Sequence, residues 1–106
     1  MVVAPLRVPV EIRAPSHGAS RWFRLAHGVS EMGLWFPRAL PDELGAVEIQ
    51  FHLPEDAQPI ACRGQVVEVE AEARDERPER RAVRFVALVE EARARIARYV
   101  EERVPQ

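Results

Sequence analysis

Apolar and polar residues alternate with a period of two along this sequence, and this alternation restricts its fold more than any other feature. Between residues 6 and 12 every second residue is Leu, Val or Ile, and the residues between them are Arg, Pro and Glu. The same pattern returns at residues 47–53. Successive side chains of a β-strand point to opposite faces, so each segment is predicted to be a strand with one buried face.

Four more strands are predicted between turn-forming segments rich in Pro, Gly and Ser. They cover residues 22–30, 34–36, 60–69 and 82–89. In residues 60–69 the apolar phase slips by one residue at Val66 and Val67, which predicts a β-bulge. A charged hairpin tip is expected at residues 71–80.

Residues 90–104 are predicted to form the one helix of the chain. Ala92, Ile96 and Val100 recur every four residues and form an apolar stripe, and Pro105 ends the helix. Strands within residues 5–89 followed by a helix predict a mainly β fold, a six-stranded antiparallel β-barrel with one C-terminal α-helix. The chain, residues 1–106, is expected to be a single domain.

The second predicted strand, residues 22–30, has two faces of different character. The residues expected inside the barrel are Phe23, Leu25 and Val29. The residues expected to point outward are Trp22, Arg24, Ala26, Gly28 and Ser30. In the following strand, Trp35 is expected on the face opposite Leu34 and Phe36.

An outward group of Trp22, Arg24 and Trp35 would form an apolar and cationic surface. Trp and Arg contribute most to the energetics of protein interfaces, so this group is predicted to be a partner surface. The alternative is that either Trp covers the end of the barrel or lies under the helix, because large aromatic side chains are commonly buried.

The composition argues against several classes of function. The chain has 15 basic and 17 acidic residues, so it has no basic field that would attract nucleic acid. A small barrel that binds single-stranded nucleic acid through stacked aromatic residues is therefore a disfavoured alternative. No apolar run reaches the length of a membrane span, and residues 1–10 lack the apolar region of a signal peptide. A cytoplasmic protein without membrane insertion is expected.

Neither a catalytic site nor a metal site is predicted. His17, His27 and His52 do not have the spacing of metal ligands. Cys62 is the only cysteine and is expected to face the interior as a small apolar residue. Ser30 has no neighbouring base that would activate it as a nucleophile.

The segment from His27 to Phe36 joins two strands through the sequence Ser30-x-x-Gly33. A small hydroxyl residue followed by a glycine suits a tight connection. With Arg7 upstream, this segment resembles the PilZ domain family, whose members carry an R-x-x-x-R motif at the first strand and a [D/N]-x-S-x-x-G motif on the second and third strands. The resemblance covers nearly the whole chain and implies the same barrel with a C-terminal helix.

Both motifs are incomplete in this sequence. Arg7, Ser30 and Gly33 match, whereas Val3 stands at the first Arg and Gly28 at the Asp or Asn. PilZ domains are best known as receptors for cyclic di-GMP, which the two Arg side chains hold through forked hydrogen bonds. Each lost charge-assisted hydrogen bond is worth about 1.5–3 kcal/mol. The loss of two lowers affinity by roughly a hundred- to ten-thousandfold, so binding of cyclic di-GMP is expected to be weak or absent and no other cofactor is expected.

The resemblance also leaves an alternative open, a genuine cyclic di-GMP receptor with a diverged site. Arg13, Arg21 or Arg24 would then reach the site through space, or His27 would replace the lost acidic residue. The R-x-x-x-R spacing recurs at residues 77–81 and 80–84, but such matches arise by chance in a chain whose 15 basic residues are all Arg.

The family includes members that lack the binding motifs and act on type IV pili or other motility machinery. The resemblance to that subgroup implies a stand-alone regulatory adaptor in bacterial motility or type IV pilus signalling, which acts by protein–protein contact and is not an enzyme. Its predicted contact surface is the group of Trp22, Arg24 and Trp35, with Ser30 and Arg7 beside it.

Overall fold

The computed structural model describes residues 3–15, 18, 21–41, 44–69 and 79–103. Its elements are β1 (Ala4–Arg13), β2 (Arg21–Val29), β3 (Gly33–Trp35), β4 (Ala46–Phe51), β5 (Ile60–Val69), β6 (Glu79–Ala87) and α1 (Glu90–Arg103). The strands form a closed barrel in the order β1-β2-β3-β6-β5-β4, and every pair of neighbours is antiparallel. The prediction of a six-stranded antiparallel barrel followed by one helix is confirmed. Of the predicted hairpin tip at residues 71–80, residues 79 and 80 belong to β6, and residues 71–78 lie outside the described residues, as does the predicted helix end at residue 104.

The hydrophobic core lies inside the barrel and under α1. The alternation predicted for β1 and β4 is confirmed at six positions, since Leu6, Val10, Ile12, Val47, Ile49 and Phe51 are buried, whereas Val8 is only half-buried. The helix contributes Ala92, Ile96 and Tyr99 to the core. Cys62 packs against the same core, as predicted, and burial raises the pKa of its thiol to about 11.

The faces predicted for β2 are wrong over most of the strand. Phe23 and Leu25, expected inside, are 64% and 43% exposed. Ala26 and Ser30, expected outside, are buried, and Trp22 packs against the core.

Pairing with β1 explains this reversal. Ile12 lies opposite Trp22 and Val10 lies opposite Arg24. Residues directly opposite each other in an antiparallel pair share one face, so the side chains of Trp22 and Arg24 lie on the core face with buried Ile12 and Val10.

The register between β1 and β2 shifts by one residue between Pro5 and Val8. Before the shift Ala4 lies opposite Val29, and after it Val8 lies opposite Ala26. An advance of four residues along β1 thus matches an advance of three residues along β2. Ala26 and Val29 are three residues apart and would lie on opposite faces of a regular strand, but with this bulge in the pairing both are buried. The sequence pattern gives no sign of this bulge.

The bulge predicted in β5 is misplaced. Val66 and Val67 pair regularly with β6, and the register shifts instead between residues 63 and 64 and between residues 67 and 69. Val67 is half-buried on the face opposite Val66, so both faces of β5 are at least partly buried at this point. The two consecutive apolar residues are explained by this burial and not by an inserted residue.

Polar contacts of two side chains, Tyr99 and Arg95, hold α1 on the barrel. The Tyr99 hydroxyl donates a hydrogen bond of 2.8 Å to the carbonyl of Pro5 in β1. The Arg95 guanidinium pairs with Asp56 and donates to the carbonyl of Gln58 at 2.7 Å, both in the loop between β4 and β5. Residues four apart on one helix face are therefore tied to two separate parts of the barrel.

The ion pair of Asp56 and Arg95 predicts a pH dependence of stability. The hydrogen bond from Arg95, with one from the Gln58 N–H, holds the pKa of Asp56 below its usual value of 3.8. Because this pKa is lower in the folded than in the unfolded chain, the pair stabilises the fold above about pH 3.8, and that stabilisation is lost as the pH falls through the folded-state pKa.

We expect the variant Asp56→Asn to unfold at a lower temperature than the wild type at neutral pH and to match it in acid. The measurement is the midpoint of thermal unfolding for both proteins at about pH 7 and about pH 2. A difference that is equal at the two pH values would contradict this role of the carboxylate.

Candidate functional site

The candidate site lies where the beginning of β1 meets the connection between β2 and β3. The motif positions of the sequence are brought together there, since Ala4 lies opposite Val29 and Pro5 lies opposite Gly28. β6 completes the site on the other side, because its residue Arg84 lies opposite Gly33.

Ser30 closes the connection between β2 and β3. Its backbone N–H donates to the Gly33 carbonyl at 3.0 Å, and its hydroxyl oxygen accepts the Met32 N–H at 3.0 Å. The residue is 2% exposed. The structure therefore gives Ser30 a role in the turn, and the placement of Ser30 on an outward contact surface is wrong.

Gly33 allows β3 to lie against β6. A Cβ atom at this position would be 2.2 Å from the Val83 carbonyl oxygen and 3.1 Å from the Arg84 Cα. Both atoms belong to the backbone, so the clash would not be relieved by rotation of a side chain. The glycine is thus required by the packing of the barrel.

The two positions at which the motifs are incomplete are in contact with each other. A Cβ atom at Gly28 would lie 2.8 Å from Cγ1 of Val3 and 3.7 Å from Cβ of Trp35. The side chain of Val3 therefore occupies the space that an Asp or Asn at position 28 would need. Val3 and Gly28 thus form an apolar contact at the two positions where the complete motifs would have an Arg and an Asp or Asn.

Arg7 is exposed and lies in the bulge of β1. Leu6 and Arg7 together face the single residue His27 of β2, because the register shifts between Pro5 and Val8. Among the described residues, Arg7 makes no hydrogen bond or ion pair. Its guanidinium is therefore available to a ligand or a partner.

The predicted group of Trp22, Arg24 and Trp35 does not form one outward face. Trp22 and Arg24 lie on the core face of β2, as their pairing with β1 requires. Trp35 lies on the opposite face of the sheet from its neighbour Leu34, which is fully buried. The outward apolar residues of β2 are instead Phe23 and Leu25.

Sequence reasoning also missed the position of Arg84. The pair of residues 80 and 84 matched the R-x-x-x-R spacing but lay far along the chain from the other motif residues. Barrel closure places the exposed Arg84 directly opposite Gly33. Arg80, in contrast, is used by the fold, because its guanidinium donates to the Leu44 carbonyl.

The described residues form neither a cluster of metal ligands nor a membrane-spanning helix. No three His, Cys, Asp or Glu side chains in this part of the chain come together as a metal site. Within the same residues, no helix has the length and apolar character needed to cross a membrane.

Comparison with known proteins relates the chain to one family. The family model of the PilZ domain matches residues 4–102. None of the curated proteins matches the chain significantly.

Among solved structures, the chain is similar to the Bacillus subtilis inhibitor of motility (MotI/DgrA), with a TM-score of 0.70 and 14% sequence identity. The match covers 96% of this chain and 48% of that chain, so this chain spans about half the length of that protein. At this level of identity the likeness shows the fold.

The requirement for Gly33 predicts a large effect of one added methyl group. We expect Gly33→Ala to lower the free energy of unfolding by about 1–3 kcal/mol or more, because the added Cβ collides with the backbone of β6. The matched control is Gly45→Ala, whose Cβ would lie 3.6 Å from the Gln65 Nε2 and should change stability by less than about 0.5 kcal/mol. Urea denaturation measures both, and equal effects at the two positions would contradict this explanation of Gly33.

Proposed function

This chain belongs to the PilZ domain family, and from that premise we propose that it is a regulatory adaptor that acts by protein–protein contact, with weak or no binding of cyclic di-GMP. The proposed process is bacterial motility, and more specifically type IV pilus signalling. The proposed location is the cytoplasm. The chain is proposed to have no catalytic activity of its own.

One observation carries this proposal, the contact between Val3 and Gly28. Val3 provides no guanidinium for a phosphate, and its Cγ1 would lie 2.8 Å from any Cβ at position 28. Two charge-assisted contacts of the complete motifs are thus missing, each worth about 1.5–3 kcal/mol. Arg7 alone would leave affinity lower by roughly two to four orders of magnitude.

Two of the three motif residues that are present have explanations that need no ligand. Ser30 and Gly33 hold the β2–β3 connection and allow it to pack against β6. Their presence is therefore compatible with a domain that has no nucleotide to bind. The name of the structural neighbour, an inhibitor of motility, supports motility as the setting.

The contact surface that we propose is the outer face of β1 and β2. Phe23 and Leu25 are its exposed apolar residues, and they lie opposite Glu11 and Pro9 of β1. Large apolar side chains at the centre of an exposed patch are the residues that contribute most when a partner covers them.

The second candidate function, a genuine cyclic di-GMP receptor, is favoured by one observation. Arg84 is exposed and lies opposite Gly33, so a guanidinium is available beside the motif from β6. The other displaced arginines give this function less support. Arg13 and Arg21 lie opposite each other six residues along β1 from Arg7, which is about 20 Å along a strand.

The missing contacts predict the result of a titration with cyclic di-GMP. We expect no saturable heat from the wild-type chain at micromolar concentrations. The double variant with Val3→Arg and Gly28→Asp restores both motif positions. Its affinity should be higher by roughly a hundred- to ten-thousandfold, as measured by isothermal titration calorimetry.

Two further variants are the controls for this titration. Gly28→Asp alone should gain much less than the double variant, because Val3 still provides no guanidinium for a phosphate. Arg7→Ala in the double variant should abolish the gain. Micromolar binding by the wild type that is lost in Arg7→Ala or Arg84→Ala would contradict the proposal and identify a receptor.

The proposed contact surface predicts a loss of function without a loss of folding. In a bacterium from which the gene is deleted, we expect Phe23→Ser to restore less than about half of the wild-type effect on motility. The matched control is Val86→Ser on β6, which is similarly exposed at 59% and should restore it fully. Full restoration by Phe23→Ser would contradict this surface.

A further inference from the structure

One edge of β2 has no neighbouring strand over most of its length. β1 pairs along nearly the whole of β2, whereas β3 pairs only with Gly28 and Val29. The chain then leaves β2, because the N–H groups of Phe36 and Leu40 donate to carbonyls of β6 at 2.8 Å. Of the described residues, none pairs with residues 21–27 on this side of β2. An unpaired strand edge is a template on which another strand can form hydrogen bonds.

Pro9 of β1 determines which backbone groups point to this open edge. Opposite residues of an antiparallel pair alternate between pairs that exchange two hydrogen bonds and pairs that exchange none. Pro9 has no N–H and lies opposite Leu25, so the hydrogen-bonded pair is the next one, Val10 with Arg24. The N–H and carbonyl groups of Phe23 and Leu25 therefore point away from β1 and toward the open edge.

The side chain of Arg24 covers one of these backbone groups. Its guanidinium donates to the Phe23 carbonyl at 3.3 Å, which is longer than most hydrogen bonds of this kind. Within the described part of the chain, Arg24 has no carboxylate partner. Charged side chains commonly protect exposed strand edges in this way. The acceptor at Phe23 is thus held weakly, by a cation that an incoming strand can displace.

The residues that offer backbone groups at the open edge also carry exposed apolar side chains. Phe23 and Leu25 are both exposed on the outer face of β2. A strand added beside them would place its own side chains next to theirs on that face, at the spacing of a cross-strand pair. In strand addition, main-chain hydrogen bonds give affinity and alternate side chains give specificity. The same two residues therefore provide both kinds of contact.

The charges of β2 indicate which strand would fit this edge. Its side chains that can carry charge are Arg21, Arg24 and His27, and it contains no Asp or Glu. A second copy of the chain, paired edge to edge, would bring these basic residues opposite one another, which is destabilising. Arg21 already pairs with Glu11 at 3.2 Å, so Arg24 is the cation that a carboxylate of another protein would compensate.

We propose that the open edge of β2 accepts an extended segment of a partner protein in which Asp or Glu alternates with apolar residues. Its N–H groups replace the Arg24 guanidinium at the Phe23 carbonyl, and one of its carboxylates pairs with Arg24. Arg24 lies on the face of β2 opposite Phe23 and Leu25, so a segment that matches both faces alternates in the same way. This inference rests on the proposed function, because it specifies how the partner binds beside the proposed contact surface.

The first measurement is amide hydrogen exchange of the full chain by NMR. The N–H groups of Phe23 and Leu25 should exchange at least about tenfold faster than those of Trp22 and Arg24, which are bonded to β1. Equal protection of the two sets would overturn the proposal. Protection of Phe23 and Leu25 that rises with protein concentration would identify a second copy as the occupant and would also overturn it.

The second measurement uses two synthetic peptides of about ten residues, the length of a long strand. One alternates Val and Glu, and the other alternates Val and Lys. We expect the Glu peptide to bind with a dissociation constant below about 1 mM and to slow exchange at Phe23 and Leu25, and the Lys peptide to bind at least about tenfold more weakly. No saturable binding of the Glu peptide, or equal binding of the two peptides, would overturn the proposal.

The variants Leu25→Pro and Leu25→Ala are a matched pair for the same titration. Both remove the Leu side chain, but only Pro removes the N–H at the open edge, and Pro is tolerated where the N–H makes no bond within the sheet. Leu25→Pro should bind the Glu peptide at least about tenfold more weakly than Leu25→Ala. Thermal unfolding establishes that both are folded, and equal binding by the two would contradict strand addition.

These outcomes are distinguishable from failure of the proposed function. If Phe23→Ser loses its effect on motility and the Glu peptide does not bind, the contact surface stands and strand addition is wrong. If the Glu peptide binds as expected and Phe23→Ser restores motility fully, strand addition stands and the surface has no role in motility.

Discussion

The pairing of β1 with β2 shifts by one residue between Pro5 and Val8, and the positions of the candidate site residues on these two strands depend on that shift. On one side of it, Trp22 and Arg24 lie on the core face. On the other side, Val29 is buried and Gly28 lies under Val3. The two residues of the bulge face His27 alone, and Arg7 and His27 line an open cavity together with Arg103 of α1. One additional residue in a strand thus determines both the core and the surface of this part of the barrel.

The connection between β2 and β3 shows how a ligand motif and a structural requirement coincide. Ser30 forms two hydrogen bonds within the turn, and Gly33 is the residue that lets β3 approach β6. Both would be needed in a barrel that binds nothing. The residues that would distinguish a receptor are therefore Val3 and Gly28, and they pack against each other.

Helix α1 links the start of the chain to its end. Tyr99 holds the Pro5 carbonyl, two residues from both Val3 and Arg7. The same ring supports the guanidinium of Arg103. Tyr99 and Arg103 of the helix and Leu25 of β2 therefore line one open cavity.

The sequence by itself determined the six strands, the helix and the inward residues of β1 and β4, because side-chain period is a local property of the chain. It also identified the turn at Ser30 and Gly33 through its residue types. Only the tertiary structure decided which face of β2 is buried, since Phe23 and Trp22 are both apolar and the pairing with Ile12 selects between them. It likewise decided that Val3 covers Gly28, that Arg84 lies beside Gly33 and that Arg103 shares a cavity with Arg7. These are contacts between distant parts of the chain, which barrel closure and strand register create and local alternation does not encode.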